Sequence, residues 1–117
     1  KSAQALRALW VLANEYLTEA APWTAIKTDP QRAAIIVRTG INLVGLFAHL
    51  SGSFIPFTAE KIAEAVGEPY PPAWPSADAA RELQRIEAGR PVKTPEVLFK
   101  KLEDAQIEAW TAEFAGL

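Results

Sequence analysis

The chain has 117 residues, a net charge of -2 from 12 Lys and Arg against 14 Asp and Glu, and no cysteine. This length suits one domain with a modest core, and the lack of cysteine excludes disulfide frameworks, thiolate zinc sites, iron-sulfur clusters and cysteine nucleophiles. The near-neutral charge argues against a protein that wraps duplex DNA, but it leaves recognition of a few unpaired bases open. The chain lacks methionine and begins with Lys1, so we expect a piece of a longer protein.

The composition predicts an all-α protein, because alanine, the strongest helix former, accounts for 22 residues and glycine for six. A first helix is predicted with Ser2 as N-cap and Pro22 as its end, since apolar residues recur at helical spacing between them. Residues 23 to 28 are predicted as a connector.

A second helix is predicted from Asp29, the N-cap, and Pro30 to about Leu50. It is apolar almost all round, which is typical of the centre of a helical bundle. Its longest apolar stretch, Ala33 to Leu50, carries Arg38, Asn42 and His49, which a lipid-facing span would rarely tolerate. We therefore predict a buried helix in a soluble protein with no membrane partner.

Two glycines, Gly40 and Gly45, lie inside this second helix. Each costs roughly 1 kcal/mol relative to alanine in a helix interior, so they predict close packing against neighbouring helices.

A third helix is predicted after the break at residues 51 to 53. Thr58 is its expected N-cap, Phe57 is expected to pack on Ile62 as a hydrophobic staple, and Gly67 is the expected stop.

The rest of the chain is punctuated by proline. Four of the eight residues from Glu68 to Pro75 are proline, which predicts a connector. Ser76 is predicted to cap a short helix that runs through Ile86, and a final helix is predicted through Phe114. The expected divisions are a partial helical bundle (1–67), a proline-rich connector with a short helix (68–95) and a C-terminal segment and helix (96–117).

Little in the sequence points to catalysis. His49 is the only histidine, so it cannot anchor the common zinc sites, and no partner for a general base can be named. The glycines form no phosphate-cradling loop. We predict a structural role for His49 and no catalytic, metal-binding or cofactor-binding residue in the chain.

The pair Pro22-Trp23 is the most informative short motif, because the helix-ending proline places the indole at one end of the bundle. Trp23 could cap the core, or it could project as a platform on which an unpaired base stacks. Lys27, Arg32 and Arg38 follow and could contact phosphates. Arg38 could equally pair with a carboxylate on another helix.

Several segments, in this order and spacing, closely resemble the C-terminal helical domain of methionyl-tRNA synthetases, and the resemblance weakens only in residues 68 to 92. The segments are Ala13–Trp23, Lys27, Gly40–Leu43, Phe54–Pro56, Thr58–Ile62 and Pro95–Asp104.

This resemblance implies an anticodon-binding bundle of a class I aminoacyl-tRNA synthetase that acts in the cytoplasm. The parent enzyme would activate methionine with ATP and magnesium and transfer it to the tRNA for methionine. Trp23 would stack on an anticodon base on a platform shaped by Pro22. Independently of the resemblance, the nearby cations Lys27 and Arg32 are weaker candidates for phosphate contacts. The expected partners are that tRNA and the enzyme's own catalytic domain, toward which residues 96 to 117 would fold back.

Two positions depart from the family pattern. Gly45 stands where an arginine is common and Ser53 where a proline is common, so no RNA-binding role is carried from the family onto the second helix. The alternative hypothesis is a helical protein-interaction module without RNA binding, which the apolar stretch from Ala33 to Leu50 and the tryptophans favour.

Overall fold

The computed structural model describes residues 1–116. Within that part of the chain there are six helices and no strand, so the all-α prediction is confirmed. The helices are α1 (Ser2–Ala20), α2 (Pro22–Ala25), α3 (Pro30–Ser51), α4 (Pro56–Ala65), α5 (Ala79–Glu82) and α6 (Asp104–Phe114).

Helix α3 forms the centre, and α1, α2 and α4 pack against it. It is long and apolar enough to cross a membrane by length and composition alone, a test that the core helix of a soluble protein also passes. Trp10 of α1 stacks on Phe47 of α3, with ring centroids 4.5 Å apart and planes inclined by 16°. At Gly40 a Cβ atom would lie 3.1 Å from Leu17 Cδ2, so this glycine allows the close approach of α1 that its position predicts.

The core lies between the second half of α3 and α4. Its buried centre is formed by Ala48, Ile62 and Ala63, and three partly buried side chains pack on it: Val44, Tyr70 and Leu98. The core therefore draws on the proline-rich segment and the C-terminal segment as well as on two helices.

Helix α4 differs from its prediction at the start and agrees at the end. Ile55 is the N-cap and Pro56 the first helical residue, so Thr58 is not the cap. Phe57 is 81% exposed and does not form the predicted staple. Gly67 adopts φ 71° and ends the helix in a Schellman motif, in which the Glu68 N–H donates to the Ala63 carbonyl at 2.9 Å.

Three further boundary predictions were wrong. Lys1, and not Ser2, occupies the N-cap position of α1. Part of the predicted connector after Pro22 is the short helix α2. Asp78 caps α5 by accepting from the Arg81 N–H, and the regular helix ends at Glu82, before Ile86.

Residues 93 to 116 are exposed except Leu98, which packs on the core. The Lys93 N–H donates to the Ala65 carbonyl at 2.8 Å and so fastens the start of this stretch to the end of α4. Beyond it, Val97, Phe99 and Leu102 are exposed, and α6 buries none of its residues.

Candidate functional site

A sharp turn at Ala21 positions Trp23. Ala21 has φ 43° and ψ 65°, the left-handed conformation that a residue with a Cβ adopts only at some cost. It ends α1, with its N–H donating to the Leu17 carbonyl, and it is also the N-cap of α2. Pro22 then begins α2 in the first helical position, where the missing N–H is no loss. The indole of Trp23 is therefore held by a turn and one short helix.

Trp23 lies at the surface, with 60% of its area exposed. A largely exposed indole does not cap the core, so of the two alternatives left open by the sequence the structure has the projecting side chain. Beside it is a cavity of about 610 Å³, lined almost entirely by apolar side chains. One wall comes from α2 and the start of α3, and the opposite wall comes from residues 86 to 92.

The other two predicted contacts, Lys27 and Arg32, do not line this cavity, but each is adjacent in sequence to a residue that does. Lys27 follows Ile26, and Arg32 precedes Ala33. Both side chains are exposed, and neither forms an ion pair within residues 1–116. The backbone N–H of Arg32 donates to the Asp29 carboxylate at 3.0 Å, so that acid is engaged in capping α3. All four predicted site residues, Pro22 included, thus gather at one end of the bundle.

Arg38 binds backbone carbonyls, and not the carboxylate of another helix that the sequence left open for it. Its Nε donates to the Ile86 carbonyl and its Nη2 to the Gln84 carbonyl, each at 3.1 Å. The guanidinium therefore holds the backbone of the segment that forms the second wall of the cavity, and its partner is not a carboxylate.

Asn42 completes this attachment and was missed as a key residue by the sequence reasoning. Its side chain is buried and binds both backbone groups of Ile86. Oδ1 accepts from the Ile86 N–H at 2.7 Å, and Nδ2 donates to the Ile86 carbonyl at 3.1 Å. The Ile86 side chain is also buried, and its Cδ1 would lie 3.0 Å from a Cβ at Gly45. Gly45 thus packs against a loop residue and not against a helix.

His49 has the structural role that was predicted. Its ring is buried, and Nδ1 lies 2.7 Å from the Ala73 carbonyl, which can only accept, so Nδ1 carries the proton. Nε2 lies 3.8 Å from Glu68 Oε2, and the buried Glu68 carboxylate also pairs with Arg85 and Arg90. These contacts fasten the proline-rich segment at a second point.

Residues 76 to 85 are organised around Glu82. The Ser76 N–H and hydroxyl donate to Glu82 Oε1 at 3.0 and 2.9 Å, and Arg85 lies 3.5 Å from Oε2. The pKa of the Glu82 carboxyl is lowered from its usual value, mainly by the hydrogen bond from the Ser76 N–H. The hydrogen bond from the Ser76 hydroxyl and the charge of Arg85 lower it further. Ser76 therefore does not cap α5 itself but binds a residue at its end.

Within residues 1–116 no group of three or more histidine, cysteine or acidic side chains is placed to hold a metal ion. The chemistry that the described site offers is an exposed aromatic face, an apolar cavity beside it and nearby cations.

A family model described as the anticodon binding domain of methionyl tRNA ligase matches residues 1–117. The methionine–tRNA ligase of Caulobacter vibrioides (strain NA1000 / CB15N) is 65% identical over 116 residues, which cover 99% of this chain and 20% of the relative. The methionine–tRNA ligase of Ruegeria sp. (strain TM1040) is 49% identical over 116 residues, which again cover 99% of this chain and 20% of the relative. No solved structure matches.

The chain thus spans about a fifth of the length of the curated relatives that it matches. The family match covers the whole chain, including residues 68 to 92, where the resemblance seen from the sequence was weakest. The chain belongs to the family of anticodon-binding domains of methionyl-tRNA ligases.

Proposed function

We propose that this chain binds the anticodon of the tRNA for methionine by stacking an unpaired base on Trp23. The observation that carries this proposal is the exposed indole, held by the Ala21 turn and by Pro22 at the end of the bundle. A base stacked on an aromatic side chain contributes about 1–3 kcal/mol and needs no strongly basic protein. This fits a chain whose net charge is -2.

Lys27 and Arg32 are proposed to contact phosphates beside the stacked base. Both are exposed and lie within nine residues of Trp23 in sequence, at the same end of the bundle. Their proposed contribution is electrostatic, so each should add to the salt dependence of tRNA binding.

The activity of the whole protein is proposed from its relatives, which are methionine–tRNA ligases. Charging tRNA with methionine requires ATP and magnesium and takes place in the cytoplasm. The residues of this chain do not fit an ATP site: Gly40 and Gly45 are packed inside α3, and Gly67 ends α4. ATP is therefore assigned to the remaining part of the ligase, and no step of its chemistry is assigned to this chain.

Residues 96 to 117 are proposed to fold back onto the catalytic domain, with residues 1–67 as the bundle and 68–95 as the connector. The exposed Val97 and Phe99 support this, because a partner surface would bury them. Exposed apolar residues on α1, such as Val11 and Leu12, are the feature that a protein-interaction module would use. The rest of a much longer ligase would cover these residues of α1 equally well.

The test compares Trp23→Ala with Trp23→Phe in the full-length ligase. We expect Trp23→Ala to weaken binding of the tRNA for methionine about 10-fold to 100-fold, because one base stack is lost, whereas Trp23→Phe keeps most of the affinity. Methionine activation, measured by ATP–pyrophosphate exchange, should stay unchanged.

The matched control is Trp74→Ala, which removes another exposed indole, 76% accessible, from the connector. It should leave tRNA binding unchanged. Equal loss of activation and tRNA binding in Trp23→Ala, or loss of neither, contradicts the proposal. A ligase that forms a stable dimer and has no tRNA affinity at low salt would favour the interaction module.

A further inference from the structure

The backbone just before Pro22 is strained. Ala21, with φ 43°, is the one residue other than glycine within residues 1–116 whose φ is positive. This left-handed conformation brings the Cβ of an L-residue too close to the following carbonyl oxygen. The ring of Pro22 disfavours the right-handed helical conformation at Ala21, so the unstrained alternative for this residue is an extended backbone. Ala21 therefore has a second conformation of lower intrinsic strain.

The strained conformation of Ala21 is also what forms α2. The Ala21 carbonyl accepts from the Thr24 N–H at 2.9 Å and from the Ala25 N–H at 3.0 Å. Helix α2 has only four residues, and a single helical turn is not stable in water by itself. If Ala21 became extended, its carbonyl would turn away from these two N–H groups, and α2 would unfold.

Little packing offsets the strain at Ala21. Helix α2 buries none of its residues, and Trp23 and Ile26 are 60% and 59% exposed. The long helix that follows has its own cap, because the Asp29 carboxylate accepts from the Arg32 N–H. Residues 22 to 28 can therefore change conformation while α3 stays intact. Elements with few buried contacts of this kind open at the lowest cost in a folded protein.

We propose that Ala21 is a two-state turn that gates the Trp23 platform. In the left-handed state α2 is formed and the indole is presented at the end of the bundle; in the extended state α2 is unfolded and the indole is not held. A base that stacks on the held indole binds only the first state, so tRNA shifts the turn toward it. The inference rests on the proposed function for its ligand, whereas the opening of α2 is a property of the free protein.

The first test measures the opening of α2 without tRNA. Hydrogen exchange of the amides of residues 24 to 26 is followed by mass spectrometry in the full-length ligase. Glycine adopts a positive φ without strain, so we expect Ala21→Gly to slow this exchange about fivefold. Valine is β-branched and tolerates a positive φ worse than alanine, so Ala21→Val should accelerate the exchange about threefold.

Ala20→Gly and Ala20→Val are the matched controls. They make the same two changes one residue earlier, where the backbone belongs to the regular helix α1. No strain is present there for glycine to relieve, so Ala20→Gly should not slow the exchange of α2. A slowing of equal size in Ala20→Gly overturns the proposal, and so does an Ala21→Gly variant that exchanges as fast as the natural ligase or faster.

The second test connects the turn to the tRNA for methionine. Ala21→Val should weaken tRNA binding about threefold, whereas Ala21→Gly should not weaken it. In a ligase that already carries Trp23→Ala, the penalty of Ala21→Val should vanish, because the contact through which the turn acts is gone. A merely structural role of Ala21 would leave that penalty in place. Methionine activation should stay unchanged in all these variants.

The outcomes separate the two proposals. If Trp23→Ala weakens tRNA binding but Ala21→Gly and Ala21→Val exchange alike, the stacking function stands and the two-state turn fails. A penalty of Ala21→Val that persists undiminished beside Trp23→Ala also overturns the turn as a gate. If Trp23→Ala has no effect on tRNA binding, the proposed function fails, and the gate fails with it.

Discussion

The two halves of α3 differ in what covers them. The half from Pro30 to Ile41 borders the open cavity and carries exposed apolar side chains such as Ile35 and Val37. In the half from Asn42 to Ser51, most residues are buried under α4 and the proline-rich segment. The same helix thus supplies the core at one end and the candidate RNA-binding surface at the other, so substitutions in the two halves should affect different properties.

The largest expected effect on stability is at Asn42, where the two halves meet. Asn42→Ala leaves the buried Ile86 N–H without a partner and removes one donor from its carbonyl, which should lower the free energy of unfolding by about 2–3 kcal/mol. Chemical denaturation measures this. Asn14→Ala, at an exposed position of α1, is the control and should change stability little. A similar change in both variants would contradict a specific role for Asn42.

Glu68→Gln should have the next largest effect, because it removes the charge that Arg85 and Arg90 share. The carboxylate is buried but both guanidinium groups are about one third exposed, so we expect a loss of about 1–2 kcal/mol, smaller than for a fully buried pair. Glu60→Gln, an exposed carboxylate on α4, should be neutral in the same denaturation experiment. Equal stability of the two variants would show that the Glu68 cluster contributes nothing.

The two glycines of α3 allow the same substitution to be compared in both halves. Gly40→Ala brings a Cβ to 3.1 Å from a terminal methyl of the half-buried Leu17, which has room to move, so the helix-propensity gain should stabilise the protein by about 0.5 kcal/mol. Gly45→Ala approaches the buried Ile86, whose backbone is fixed, and should be destabilising by about 0.5–1 kcal/mol. Thermal unfolding would refute this if both shifts had the same sign.

The substitution Glu82→Gln is expected to have the smallest effect on stability, and this effect depends on pH. Its pKa is lowered in the folded state from an ordinary value of 4.5, so the stability that its ionised form contributes is present above that value and is lost as the pH falls through the lower folded pKa. Glu82→Gln should therefore be slightly less stable than the natural chain at pH 7 and equal to it at low pH. A stability difference that does not change with pH would contradict this assignment.

Much of the fold follows from local sequence signals. Asp29 with Pro30 marks the start of α3, because the aspartate side chain accepts from a free N–H of the first turn and proline has no N–H to leave free. Gly67 marks the end of α4, because glycine adopts the positive φ of the terminating turn without strain. The predicted start of α4 is too late because a threonine after an apolar residue imitates a capping pattern, whereas the N-cap is Ile55, three residues before Thr58.

The site was predicted only in part, because the second wall of the cavity is distant in sequence from Trp23. No local pattern in residues 84 to 92 reveals that their backbone is held by α3. The available signal was the set of polar residues inside the apolar helix. Arg38, Asn42 and His49 all bind backbone carbonyls of the proline-rich segment. From the sequence these residues argue against a membrane span, and a structural role is predicted for His49, but nothing there points to the proline-rich segment as their partner.

The attachment of Ile86 to Asn42 has a consequence for how this chain tolerates changes of length. Because one side chain satisfies both backbone groups of a single loop residue, the position of Ile86 does not depend on a helix or strand running into it. Residues inserted at the exposed Trp74, between the His49 contact at Ala73 and the Ser76–Glu82 contacts, would alter the path of the chain before Ile86. They would leave Ile86, and the residues that follow it, where they are. The length of the connector can therefore vary without changing the position of residues 86 to 92, which face Trp23 across the cavity.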